Sequence, residues 1–214
     1  AFESTRRLLA AGDVVLFEAA ATVGKFHVRA DILEKVGDVL NLIEVKSSSI
    51  EDDEDDAVSP FLTKKGTIIS RWKEYLMDVA FQAHVLRLAF PGLTVRPHLC
   101  VVNKAQVAGA AETLGNFRLA KDAKNPKSRP EIRYIGDAAK LRGSRLLSIR
   151  STQQEVDSIM PEVIRKADVL AALLPEQGPV RVQEDIAQLY RDCRKCEFRS
   201  PEKIRSPPTK KREN

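Results

Sequence analysis

Residues 13–46 read DVVLFEAAATVGKFHVRADILEKVGDVLNLIEVK. Three runs rich in Val, Ile, Leu and Phe, at about 14–22, 26–34 and 39–47, are separated by Gly24-Lys25 and Gly37-Asp38. A two-residue Gly-x connection between strand-like runs signals a β-hairpin, because glycine supplies the positive φ of a type II′ turn. The prediction is an antiparallel meander. Counting outward from Gly37-Asp38 places Asp31 directly opposite Glu44, and counting from Gly24-Lys25 places Glu18 opposite Asp31. Lys46, two residues beyond Glu44, shares their face because side chains alternate along a strand. Opposed side chains have Cβ atoms about 4.5–5.5 Å apart, where like charges destabilise. A row of three carboxylates is tolerated where a cation neutralises it or where the strand ends are well solvated. Oxygen ligands favour Mg²⁺ or Mn²⁺ over zinc. A lysine beside such an ion can position a water or offset charge developing on a phosphate. The rival reading is a solvated strand face with an incidental Glu44–Lys46 pair.

Outward from this meander, residues 2–11 read as the end of a helix closed by Gly12-Asp13. The chain opens inside that pattern without a methionine, so it is expected to begin part-way into its domain. Residues 48–66 read as a polar loop holding an acidic run, 51–56, and Pro60. An amphipathic helix is expected over 68–90, with Val79, Leu86 and Phe90 on one stripe and Pro91-Gly92 ending it. A strand at 94–102, helical material at 104–122, a basic loop at 125–130, a strand near 131–135 and a helix at 153–173 follow. Residues 175–179 are a linker, and the tail from 200 onward is expected to be disordered. The expected organisation is a core over 1–104, its extension over 105–174, a Cys-pair segment over 175–199 and a basic tail over 200–214.

Of the 214 residues, 43% are hydrophobic and 30% charged, a composition able to bury a core and unlike collagen, disulfide scaffolds or chains disordered throughout. No stretch approaches the roughly 20 apolar residues of a membrane span, and no signal segment opens the chain. Three cysteines, two of them in Cys193-x-x-Cys196, make no disulfide framework, which points to a reducing, cytoplasmic setting. Cys100 sits in an apolar run and is expected in the core. The net charge is +5, and the acidic run conceals a larger positive excess elsewhere. Six basic residues lie between Arg118 and Arg133, and five more follow Ser200. Such an excess suits a polyanion, most commonly nucleic acid, or is a plain solvated surface. Aromatics at 6% argue against an extended base-stacking platform. Arg118, Lys121, Lys124 and Lys127, spaced by three, could line a DNA path or a solvated helix face. His27 and His98 lack metal-ligand spacing, and His84 lies about 200° round the helix from Gln82.

The spacing Asp31, twelve residues, Glu44-Val45-Lys46 resembles the active-site signature of the PD-(D/E)XK nucleases, and within them the RecB-like branch, some of whose members carry an iron–sulfur cluster. The stretches Phe17-Glu18-Ala19, Arg29 to Glu34, Ile43 to Ser48 and Asp78 to Gln82 are similar to uncharacterised prokaryotic proteins that join this domain to a downstream domain of unknown function. The resemblance covers residues 5–104 and, beyond them, the Cys pair. It implies a restriction-endonuclease-like α/β fold, an αβββαβ mixed sheet flanked by helices. It also implies Mg²⁺- or Mn²⁺-dependent hydrolysis of DNA phosphodiesters. Asp31 and Glu44 would be metal ligands with the Val45 carbonyl, Glu18 an additional acid, Lys46 the residue assisting the attacking water, and Gln82 a substrate-positioning residue. The branch carries a tyrosine four residues after this glutamine; Leu86 stands there. A 4Fe–4S cluster would need four cysteines, of which Cys193 and Cys196 supply two, so this chain is expected to hold a cluster poorly. The alternative function is a catalytically inert domain that binds nucleic acid or a partner.

Overall fold

Both glycine-led turns form with two residues each in a computed structural model of the chain, which describes residues 1–51, 59–105, 115–120, 130–139 and 146–173. Strands β1 (Val14–Val23), β2 (Phe26–Val36) and β3 (Val39–Ile50) make the antiparallel meander, with Val23 paired to Phe26 and Val36 to Val39. Gly24 and Gly37 adopt φ of 56° and 57°. With no positive φ at Lys25 or Asp38, this is the pattern of type II′ turns, whose twist matches that of the flanking strands.

Helix α1 (Phe2–Ala11) precedes the meander, and α2 (Ser70–Ala89) carries the chain from β3 to β4 (Thr94–Asn103), which runs parallel to β3. The order α1-β1-β2-β3-α2-β4 is the αβββαβ arrangement of a restriction-endonuclease-like mixed sheet flanked by helices. A parallel return needs a crossover, and α2 with the segment before it supplies the length. Strand β7 (Leu147–Ser151) then adds antiparallel to β4, giving a five-stranded sheet ordered β1-β2-β3-β4-β7. Helix α3 (Gln153–Leu173) follows.

One sheet face holds the core. Leu33, Leu40, Leu42, Val95, Leu99 and Val101 project from it and pack with Leu76, Val79, Ala83 and Leu86 of α2 and with Val156, Ile159 and Val163 of α3. Phe61, ahead of α2, joins this core and lies edge-on against Trp72 at 5.1 Å between ring centroids. Buried Cys100 is a free thiol, and its burial pushes the thiol pKa up.

Two departures from the sequence reading concern the second half. Residues 117–120 lie in the expected helical stretch 104–122, yet they form β5 (Phe117–Ala120), paired antiparallel with β6 (Glu131–Tyr134). Phe117 against Tyr134, ring centroids 5.0 Å apart, and Leu119 opposite Ile132 favour the pairing over a helical turn. Strand β7 was not anticipated. Its apolar residues Leu147 and Ile149 are exposed, so burial is inverted relative to the usual apolar-in pattern; the open edge of β4 fixes the strand.

The chain divides into two units, Ala1–Ala171 and Ala172–Asn214. Cys193, Cys196, the basic tail, the acidic residues 52–56 and Lys121, Lys124 and Lys127 lie outside the described residues. Among the described residues, no helix is long and apolar enough to cross a membrane.

Candidate active site

The β2–β3 ladder runs from Val36↔Val39 to Ile32↔Ile43 and stops one step before Asp31 and Glu44. Here the Asp31 carboxylate replaces the strand: its Oδ2 accepts the Val45 backbone N–H at 2.8 Å. Glycine-led turn geometry therefore delivers Asp31 to the backbone beside Glu44, as the register requires. On the other side of β3, pairing with β4 shifts between Val45 and Ser49, so the peptides between them leave the regular ladder. The Glu44-Val45-Lys46 segment thus sits in a fork, with the β2–β3 ladder ending on one side and the parallel ladder interrupted on the other.

Glu44, Lys46 and Ser48 project toward α2. Alternation along β3 puts them on the core face, and α2 meets them with Tyr75, Asp78 and Gln82, spaced so that they lie on one helical face. The Lys46 ammonium donates to Glu44 Oε1 and to Asp78 Oδ2, both at 2.8 Å. Gln82 Nε2 donates to Glu44 Oε2 at 3.0 Å and to Asp78 Oδ1 at 3.1 Å. Four side chains close a ring in which two donors each bridge two carboxylates. Ser48 Oγ donates to the Tyr75 hydroxyl at 3.2 Å, and the Lys46 ammonium lies 5.5 Å from the Tyr75 ring centroid.

Burial works against the Lys46 charge, but the hydrogen bonds to Asp78 and Glu44 and the two carboxylate charges outweigh it and raise its pKa above the ordinary lysine value. Lys46 is therefore an ammonium at neutral pH. The Glu44 side chain is 8% exposed and Asp78 is 43% exposed, so the ring is closed toward the core and open at the Asp78 side. The Gln82 amide oxygen is buried without a hydrogen-bond partner. Two carboxylates facing the other end of the amide hold it in that orientation.

The structure brings Glu44, Lys46 and Gln82 together with Asp78, and it holds Asp31 beside them on the Val45 backbone N–H. It does not bring Glu18 to them. Pairing passes from Phe17↔Ile32 to Ala19↔Ala30 and omits Glu18 and Asp31. Glu18 is the non-glycine residue with positive φ, 54°, among the described residues. Core-facing pairs step from Leu16↔Leu33 to Ala19↔Ala30, three residues instead of two, so both strands change face at this point. The turn arithmetic holds, yet the local backbone sends the Glu18 carboxylate to Arg29 Nε at 2.8 Å, both side chains largely exposed. Gln82 is buried behind the acids, which suits orienting Glu44 and Asp78 more than touching substrate. His84 packs against Phe26, His27 bonds Thr22 and His98 meets the Arg96 carbonyl, all apart from the ring.

Asp78, Tyr75 and Ser48 are the participants the sequence reading did not single out. Their signal is the i, i+3, i+7 spacing of Tyr75, Asp78 and Gln82, a polar stripe in a helix otherwise rich in buried apolar residues.

Among the described residues, no group of three or more His, Cys, Asp or Glu side chains is arranged to hold a metal ion. Mg²⁺ makes no such demand, since it keeps several waters and is commonly held by one or two carboxylates. Asp31, Glu44 and Asp78 against one lysine leave two uncompensated negative charges, which a divalent cation would balance. Carboxylate and carbonyl oxygens are donors of the hard kind that such an ion takes.

No family model matches the chain, and no curated protein matches it. Among solved structures, a Eubacterium rectale protein assigned as an exonuclease aligns with 95% of this chain at 14% identity and a TM-score of 0.27. The alignment spans 58% of that protein's length.

Proposed function

We propose that the chain is a metal-dependent nuclease that hydrolyses DNA phosphodiester bonds. The observation that carries this reading is the Lys46 ammonium bridged between Glu44 and Asp78, with Asp31 anchored on the backbone of the next residue, Val45. Asp31, Glu44 and the Val45 carbonyl would hold Mg²⁺ or Mn²⁺. When bound, such an ion lowers the pKa of a coordinated water and offsets charge on the phosphoryl oxygens.

The chain's own residues do the rest. Asp78 and Glu44 hold Lys46 as an ammonium, and in that form it would donate hydrogen bonds to the attacking water or to a phosphate oxygen. Its charge is worth most as negative charge grows on the phosphate, beside a Glu44 that is nearly closed off from solvent. Gln82 fixes the free rotation of Glu44 and Asp78 from behind. The basic excess of the chain favours a polyanionic substrate.

Both Glu44 oxygens already have partners, and that observation favours the alternative, an inert site on a domain that binds nucleic acid. Cleavage of labelled DNA with Mg²⁺ or Mn²⁺, with and without chelator, separates the two. The expected result is metal-dependent cleavage that falls at least about a hundredfold in Lys46→Met, while DNA affinity changes less than about twofold. DNA binding that weakens steeply with salt, with no cleavage under any metal, would establish the inert reading instead.

A further inference from the structure

Asp78 lies outside the acid pair and lysine that the strand spacing singles out, and a role for it rests on reading this site as a nuclease centre. It stands one helical turn before Gln82, so both side chains reach β3 from the same face of α2. Each of its oxygens has a partner, Oδ2 with Lys46 and Oδ1 with Gln82, and Glu44 repeats the pattern with the same two donors. Without Asp78, the Lys46 ammonium would hang from Glu44 alone on a flexible four-carbon stem. Gln82 would keep one acceptor, and its unpartnered buried oxygen would no longer be held away from the acids by a second carboxylate. Asp78 is also the open member of the ring, so its loss removes little packing.

We propose that Asp78 is a positioning residue: it holds the Lys46 ammonium and the Gln82 amide in register with Glu44 and touches neither metal nor DNA. Asn at this site keeps the shape but turns one oxygen into an amide that meets the Gln82 donor head-on, so Asp78→Asn breaks the ring with little change in volume. Asp78→Glu keeps the charge and lengthens the arm.

The test uses the whole chain. In Asp78→Asn, kcat should fall roughly tenfold to a hundredfold, while KM for DNA and the Mg²⁺ midpoint stay within about threefold, and Asp78→Glu should recover part of the loss. A readout independent of cleavage is the ¹H–¹⁵N signal of the Lys46 ammonium, assigned by its absence in Lys46→Met. It should be sharp in the parent protein, where hydrogen bonds slow proton exchange, and lost in Asp78→Asn. An unchanged ammonium signal or unchanged kcat in Asp78→Asn would overturn the positioning role. A Mg²⁺ midpoint shifted tenfold or more would also overturn it, by making Asp78 a ligand. Should the parent chain cleave no DNA, the nuclease reading falls, and the ammonium signal still decides whether Asp78 holds Lys46.

Discussion

Glu18 carries the sharpest conflict between residue type and backbone. A side chain in the left-handed region costs about 1–2 kcal/mol, and glycine would remove that cost. Against it stands an exposed ion pair with Arg29, worth about 0–1 kcal/mol. Glu18→Gly should therefore be at least as stable as the parent in urea unfolding, whereas Glu18→Ala should be less stable. Because the Glu18 carboxylate is committed to Arg29, Glu18→Gly should also leave Mn²⁺ affinity unchanged within about twofold, read by calorimetry. A loss of affinity in that variant would return Glu18 to the ligand set. Asp31 presents the contrasting case: the hairpin register brings the chain to Ile32↔Ile43, one step short of it, and its own carboxylate then reaches the Val45 N–H.

The turn and the helix act one level up. Gly37 has φ of 57° and open space around a built-in Cβ position, so substitution there meets no clash and feels only the backbone. Gly37→Ala should lose about 1–2 kcal/mol in denaturant titration, with no change in the rest of the fold. On α2, burial lowers the pKa of His84 below the usual 6.5; Asp168 opposes this and Arg87 reinforces it. As pH falls through 6.5 the unfolded chain takes up this proton first, so stability drops from there downward until the folded-state pKa is passed. His84→Gln should flatten that acid limb in urea midpoints measured between about pH 7 and pH 5.5, where histidine titrates. A limb of unchanged slope would assign the acid sensitivity to other groups. The same helix turns Tyr75, Asp78 and Gln82 toward β3, which is how one element supplies half of the ring.

Across the whole molecule the two faces of the sheet differ. One is covered by α2 and α3, whereas the other exposes Phe17, Val45, Val102, Leu147 and Ile149 across four of the five strands. Leu99 is fully buried on the covered face, and Leu99→Ala should cost about 2–5 kcal/mol as transfer and cavity contributions add. Ile149→Ser, at a position 54% exposed, should change stability by no more than about 0.5 kcal/mol in the same urea experiment. A large loss in Ile149→Ser would mean that this face is covered in solution.

The meander, its register and the αβββαβ order were legible along the chain because they rest on local chemistry. Two glycines at the first turn position, alternating apolar residues and a helix closed by Pro91-Gly92 act over a few residues each, and counting from the turns gives the pairs Val36↔Val39 to Ile32↔Ile43 without any knowledge of packing. Three features needed the packed molecule. The face change at Glu18 depends on how β1 and β2 together leave the plane set by β3, which no alternation pattern in one strand records. Strand β7 exists because β4 leaves an edge open, and its exposed apolar residues reverse the usual signal. The closed ring requires α2 to lie across β3 at one rotation, so that Asp78, more than thirty residues from Lys46, meets its ammonium. Hydrogen-bond periodicity specifies which residues share a face of one element; only packing between elements specifies which faces meet.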